Sequence, residues 1–189
     1  MRTNANPVHR GVAAGRLFPA CLLALLLSTV STARAVTVTT LPADTTVDRG
    51  SSFVLRLSLD DFPNLKAFQI ISAFDPTILA LQRVEAGGVL TASGRSFFGQ
   101  AIADRMAPAD TAWFDAAMLD GTTAGPGVLV TLTFKAVGDG TSPVPCRSAD
   151  LRDASNHHVL PACLGSLVHV QEPVPVRAGT WGRLKSLYR

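Results

Sequence analysis

The sequence predicts an all-β domain, a β-sandwich or jelly roll. Three observations carry this expectation. Runs of 5 to 10 residues alternate apolar and polar side chains, Gly, Pro, Asn and Asp punctuate them, and no long stretch has a helical period. Side chains of a strand point alternately to opposite faces, so such runs are strands with one buried face in a layered fold. There is no internal repeat.

The first 35 residues stand apart. Arg2, Arg10 and Arg16 precede or abut an apolar run from Leu17 to Leu27, and Ala33-Arg34-Ala35 follows. A basic start, a short apolar core and an A-x-A site predict a secretory signal peptide over 1–35, cleaved before Val36. The run falls short of the roughly 20 apolar residues that cross a bilayer. No transmembrane segment is expected in the mature chain, and its expected location is secreted, extracellular or cell-surface. Cys21 lies inside the apolar run, which argues against a lipoprotein site. Cleavage leaves 154 of the 189 residues, enough for one domain with a hydrophobic core. Four of the 17 Lys and Arg and none of the 14 acids leave with the signal, so the mature chain has 13 bases against 14 acids. The pI of 9.1 belongs to the precursor, and no nucleic-acid surface is expected.

A strand is expected over Val36–Thr40, then a polar, turn-rich stretch from Leu41 to Gly50. Phe53, Leu55, Leu57 and Leu59 alternate strictly with Val54, Arg56 and Ser58, and Asp60 to Asn64 breaks the run. The next strand, Lys66 to Phe74, puts Phe68, Ile70, Ser72 and Phe74 on one side and Ala67, Gln69, Ile71 and Ala73 on the other. Asp75-Pro76 ends it, because proline has no ladder donor and restricts its predecessor. Ile78 to Glu85 continues as extended chain, with a helical turn over Thr77–Leu81 as the alternative, and Gly87-Gly88 turns it. Ser96–Ala103 and Thr111–Met118 are strands around a polar segment that contains Pro108. From Gly125 to Gly140 runs the longest alternation: Val128, Val130, Leu132, Phe134 and Ala136 form the core face, and Thr131, Thr133 and Lys135 the polar face. Ser142–Leu151 and Leu164–Val170 complete the set.

Cys146 and Cys163 are the two cysteines of the mature chain. An even pair in an exported protein predicts a disulfide, which in the chain-entropy model contributes roughly 3 kcal/mol; two unpaired buried thiols are the alternative. Residues 172–179 form a Pro-containing linker. Residues 180–189 form a short amphipathic tail, with Trp181, Leu184 and Tyr188 on one helical face and Arg183, Lys185 and Arg189 supplying positive charge. So short a helix needs a docking surface to be stable, and the tail is expected to be a docking or sorting element, with an unstructured end as the alternative.

Phe53–Leu59, Asn64–Pro76, Ile78-Leu79 and Gly127–Phe134, in that order, resemble a cohesin domain. Gly138-Asp139-Gly140, Leu151-Arg152-Asp153 and the closing Gly165–Val170 extend the likeness over most of residues 36–171. The resemblance implies a nine-stranded jelly-roll sandwich related to bacterial cellulose-binding modules. It also implies binding of dockerin modules on polysaccharide-degrading enzymes through one sheet face. Carried onto this sequence, the contact positions ahead of the Phe74-Asp75-Pro76 motif fall at Ala67, Gln69 and Ile71.

Catalytic constellations are absent from the sequence. Asp60 and Asp61 are adjacent, so as strand residues they would point to opposite faces and could not flank one glycosidic bond. His157 and His158, near Asp150 and Asp153, diverge in the same way and lack a third ligand at metal spacing. Neither Gly87-Gly88 nor Gly138-Asp139-Gly140 leads into the helix and lysine of a phosphate loop, and no Gly-x-Ser-x-Gly elbow occurs. No cofactor is expected, with calcium on Asp carboxylates left open. Trp113 is a candidate sugar-stacking residue, one of the Trp113-Phe114 pair being expected in the core. The expected function is therefore a non-catalytic extracellular binding module for a dockerin-bearing protein or a carbohydrate, linked to polysaccharide breakdown. A direct polysaccharide-binding module or a structural surface subunit is the alternative.

Overall fold

The computed structural model describes residues 35–102 and 109–173, excepting the Ile102 side chain. The signal-peptide, Trp181, Leu184 and Tyr188 expectations and most of the linker lie outside these residues. Among the described residues there are thirteen strand segments and one helical turn. In chain order they are β1 (Thr37–Leu41), β2 (Asp44–Asp48), β3 (Ser52–Leu59), β4 (Leu65–Ala73), β5 (Leu79–Ala86), α1 (Gly88–Thr91), β6 (Phe97–Ile102) and β7 (Thr111–Met118). Then follow β8 (Gly127–Ala136), β9 (Gly140–Val144), β10 (Cys146–Asp153), β11 (His158–Val159), β12 (Ala162–Leu164) and β13 (Ser166–Gln171).

Two five-stranded sheets, β12-β1-β3-β8-β5 and β11-β10-β4-β7-β6, make the sandwich, with a three-stranded sheet, β2-β13-β9, beside them. The all-β sandwich matches the expected class, although short segments raise the strand count above nine. Leu55, Leu57 and Leu59 of β3, Leu132 and Phe134 of β8, Phe68 and Ile70 of β4 and Phe114 of β7 are all buried in one apolar core. Each such side chain contributes roughly 1.5–3 kcal/mol through burial. The rings of Phe74 and Phe134 meet edge to face, centroids 5.1 Å apart.

Several elements differ from the sequence reading. The stretch read as turns contains β2, which pairs in parallel with β13 from Asp44↔Leu167 to Asp48↔Gln171. Its one apolar residue, Val47, gives no alternation, so long-range pairing makes the strand. Ser142–Leu151 is two strands, because the chain breaks at Pro145 and passes from the small sheet into the β4 sheet. On β8, Leu57 pairs with Val130 and Ser58 with Val128, skipping Leu129. That bulge turns Leu129 and Val130 both inward, while Val128 is only half-buried. Gly87 donates its N–H to the Leu129 carbonyl at 2.8 Å, and a Cβ there would strike the Val128 carbonyl. Ala73, expected on the outward side, is buried where Asp110 and Pro145 accept the N–H groups of Phe74 and Ala73.

Candidate partner-binding face

Register fixes what the β11-β10-β4-β7-β6 sheet presents to solvent. In the middle of the sheet, odd-numbered side chains of 67–71 on β4 and 113–117 on β7, and even-numbered ones of 98–100 on β6 and 148–152 on β10, point away from the core. They form three rows. Ser148, Ile71 and Trp113 make the first; Asp150, Gln69, Asp115 and Gln100 the middle; Arg152, Ala67, Ala117 and Phe98 the third. The predicted Ala67, Gln69, Ile71 and Trp113 thus share one face, Ile71 and Trp113 as direct cross-strand partners.

The face is apolar at its ends and polar across its middle. Phe98 is 55% exposed, and Leu119, just past β7 on the same side, is 67% exposed. The small Ala67 and Ala117 leave an open groove of about 270 Å³, walled by Phe98, Asp115, Asp150 and Arg152. Asp150 is compensated: His158 Nδ1 lies 3.0 Å from Oδ1 and Arg152 Nη2 3.7 Å from Oδ2. Asp115 accepts the Trp113 indole N–H at 2.9 Å, and among the described residues no basic side chain pairs with it. Among the described residues the carboxyl group at the centre of the face therefore has a single, neutral side-chain donor.

The other sequence candidates separate. Phe114 is in the core and Trp113 outside it. Four residues along the sheet separate the Trp113 row from the Phe98 row, about 13 Å, so the two rings form no continuous stacking platform. Cys146 and Cys163 are joined by a disulfide, Cα–Cα 5.7 Å, which ties β10 of one sheet to β12 of the other. His157 bonds Asp153, with Nδ1 and Oδ2 3.1 Å apart, while His158 bonds Asp150. No cluster of three metal-ligating side chains occurs among the described residues. Asp153 ends β10 with its carboxyl held below the usual range, chiefly by the His157 backbone N–H, against a smaller opposing effect of desolvation. Asp75 is likewise lowered, first by the Thr77 hydroxyl at 2.6 Å and then by its N–H at 2.8 Å.

Sequence reasoning missed Asp115, Asp150, Arg152 and Phe98. Alternation within each strand gives their parity, but it does not give the neighbour order β10-β4-β7-β6 that assembles them.

No protein-family model matches the sequence, and no curated protein matches it. Solved structures do. A type I cohesin in complex with a dockerin, from Clostridium thermocellum, aligns with TM-score 0.60 at 13% identity over 72% of this chain and 99% of that one. The fold is that of a cohesin module. The seventh ScaB type I cohesin of Pseudobacteroides cellulosolvens aligns at TM-score 0.58 and 16% identity over 77% of this chain and 98% of that one. A non-cellulosomal cohesin from the archaeon Archaeoglobus fulgidus aligns at 0.56 and 12% over 73% and 91%. At these identities the cohesin likeness is one of architecture.

Proposed function

We propose that this chain is an exported, non-catalytic binding module that docks a dockerin-type protein on the outward β11-β10-β4-β7-β6 face. The observation that carries the reading is the central Asp115, without a cationic partner among the described residues, in a row with Gln69 and Gln100 and between apolar ends. Such a face suits a protein surface that brings hydrogen-bond donors or a cation to the middle and apolar side chains to the ends. The cohesin architecture supports the choice of partner, one of its solved examples being bound to a dockerin. In this reading residues 1–35 direct export, 36–171 bind, 172–179 link, and the Trp181, Leu184 and Tyr188 face of 180–189 docks elsewhere, in a setting of polysaccharide breakdown. Any calcium belongs to the partner's loops.

The test is a pulldown by residues 36–171 from the secretome of the source organism, with and without chelator. Capture of a protein bearing duplicated calcium-loop motifs, abolished by chelator and by Asp115→Lys, is the expected result. Retardation in polysaccharide affinity gels that is lost on Trp113→Ala, without chelator-sensitive capture, replaces this reading with direct carbohydrate binding. Deleting 172–189 without effect on secretion or surface retention removes the role given to the tail.

A further inference from the structure

The outer edges of the three sheets are unequal. An unpaired edge strand exposes N–H and C=O groups that can template another strand, so proteins shorten, charge or interrupt their edges. Five of the six edges here are blunted in that way. β2 is bounded by Asp44 and Asp48; β5 carries Arg83 and Glu85 and a register shift between Leu81 and Arg83; β9 contains Pro143. β11 has two residues, and β12 has three and is tied down by the disulfide. β6 has none of these devices. Its six residues, Phe97 to Ile102, contain no charge and no proline, and Phe98 to Ala101 are all exposed.

Among the described residues no strand pairs with the outer edge of β6, and the groups on that edge can be assigned. The Leu119 N–H donates to the Ser96 carbonyl at 2.9 Å while the Ser96 N–H turns to Asp120 Oδ1 at 2.8 Å, and the first of these bonds sets the phase of the β6–β7 ladder, Ser96 and Leu119 holding the position of a hydrogen-bonded pair. Antiparallel ladders alternate such pairs, so the N–H and C=O groups of Phe98 and Gln100 face β7 and those of Phe97, Gly99 and Ala101 face outward. We propose that this edge is a self-association site, at which two copies of the chain pair their β6 strands antiparallel about a twofold axis. A register centred on Gly99 keeps inward side chains opposite inward ones and lets Phe97, Gly99 and Ala101 of each copy supply six hydrogen bonds. Centring on Gln100 keeps the same parity. A strand facing its own copy meets its own charges, and like charges opposite one another repel; β6 has none to oppose. The result joins two five-stranded sheets into one of ten strands and sets Phe98 of each copy close to the axis.

The test is sedimentation equilibrium of the chain from Val36 to Arg189 between about 1 µM and about 1 mM. A monomer–dimer equilibrium is expected. Ala101→Pro deletes an outward N–H without touching the β7 ladder and is expected to stay monomeric at an unchanged melting temperature. Gln100→Lys and Gln100→Glu are each expected to weaken dimerisation at least about tenfold, and an equimolar mixture to restore it as a heterodimer. A single monomeric species at the highest concentration overturns the proposal. So does a dimer that survives Ala101→Pro, or charge variants whose mixture behaves as each does alone.

Discussion

The two outer faces of the sandwich are built by the same alternation and end up with different surfaces. On the β12-β1-β3-β8-β5 sheet, the outward positions of the central strands are Ser52, Val54, Arg56 and Ser58 on β3 and Thr131, Thr133 and Lys135 on β8, with Arg83 and Glu85 on β5. Hydroxyls, a valine and charged side chains of both signs make the centre of this face one that water covers at little cost, and its exposed leucines, Leu41 and Leu164, lie at the β1 and β12 margin. The opposite face presents Ile71, Trp113, Phe98 and Leu119 around a carboxylate with no cationic partner among the described residues. Apolar surface left out of the core beside uncompensated polar groups is what an interface requires and a scaffold does not. The thirteen-strand frame is common to both faces, and the choice of outward residues distinguishes them.

The largest expected effect tests whether the β8 strand is scaffold. Phe134→Ala removes a fully buried ring that contacts Phe53 and Phe74 and is expected to cost about 3–5 kcal/mol in urea unfolding. Thr133→Ala, one residue away on the outward side, should stay within about 0.5 kcal/mol. A loss of stability at Thr133 comparable to that at Phe134 would mean that the outer face of β8 is covered by something else. Next comes the link between the sheets. Replacing Cys146 and Cys163 together by serine is expected to cost roughly 3 kcal/mol, the loop-closure contribution for a separation of 17 residues. Partner capture by the folded variant should persist, since neither cysteine belongs to the three rows. Smaller still in free energy, but decisive between the faces, are paired charge substitutions. Asp115→Lys is expected to weaken partner capture by at least about thirtyfold, some 2 kcal/mol, while Thr133→Lys on the other face leaves it unchanged. Equal losses would erase the distinction drawn between them.

Half-buried strands were legible in the sequence because their own residues encode them. Thr111–Met118 is β7 to the residue, and the Phe53–Leu59 alternation is β3 with one residue added. The same parity placed Ala67, Gln69 and Ile71 together on β4 and Trp113 opposite Phe114 on β7. What the sequence hides depends on residues far away. β2 is a strand because β13 lies beside it, and Leu129 is buried because β3 skips it in the ladder. The face has the same origin, since Asp115 meets Gln69, more than forty positions earlier in the chain, only through the order of the strands. An alternation rule assigns sides, whereas a site needs neighbours.

The smallest effect concerns how the β11-β10-β4-β7-β6 sheet ends its strands. Asp75 follows β4 and Asp153 closes β10, and each carboxylate accepts backbone N–H bonds that hold the turn after its strand. Both have folded values lowered below the ordinary carboxylate value. A group lowered on folding contributes stability that is fully present above its unfolded value, near 4, and is lost as pH falls through the lowered one. The wild-type protein should therefore lose stability on acidification from about pH 5 toward about pH 2 in part through these two groups. Asn at either position can still accept the backbone bonds but no longer titrates. The Asp75→Asn, Asp153→Asn double variant is expected to show a shallower decline of urea-midpoint with acidification across that window and no change of slope between about pH 6 and pH 8. An unaltered acid slope would mean that neither turn is clamped by its charge. In that case the β4 and β10 ends of this sheet are held by the backbone ladder and not by their carboxylates.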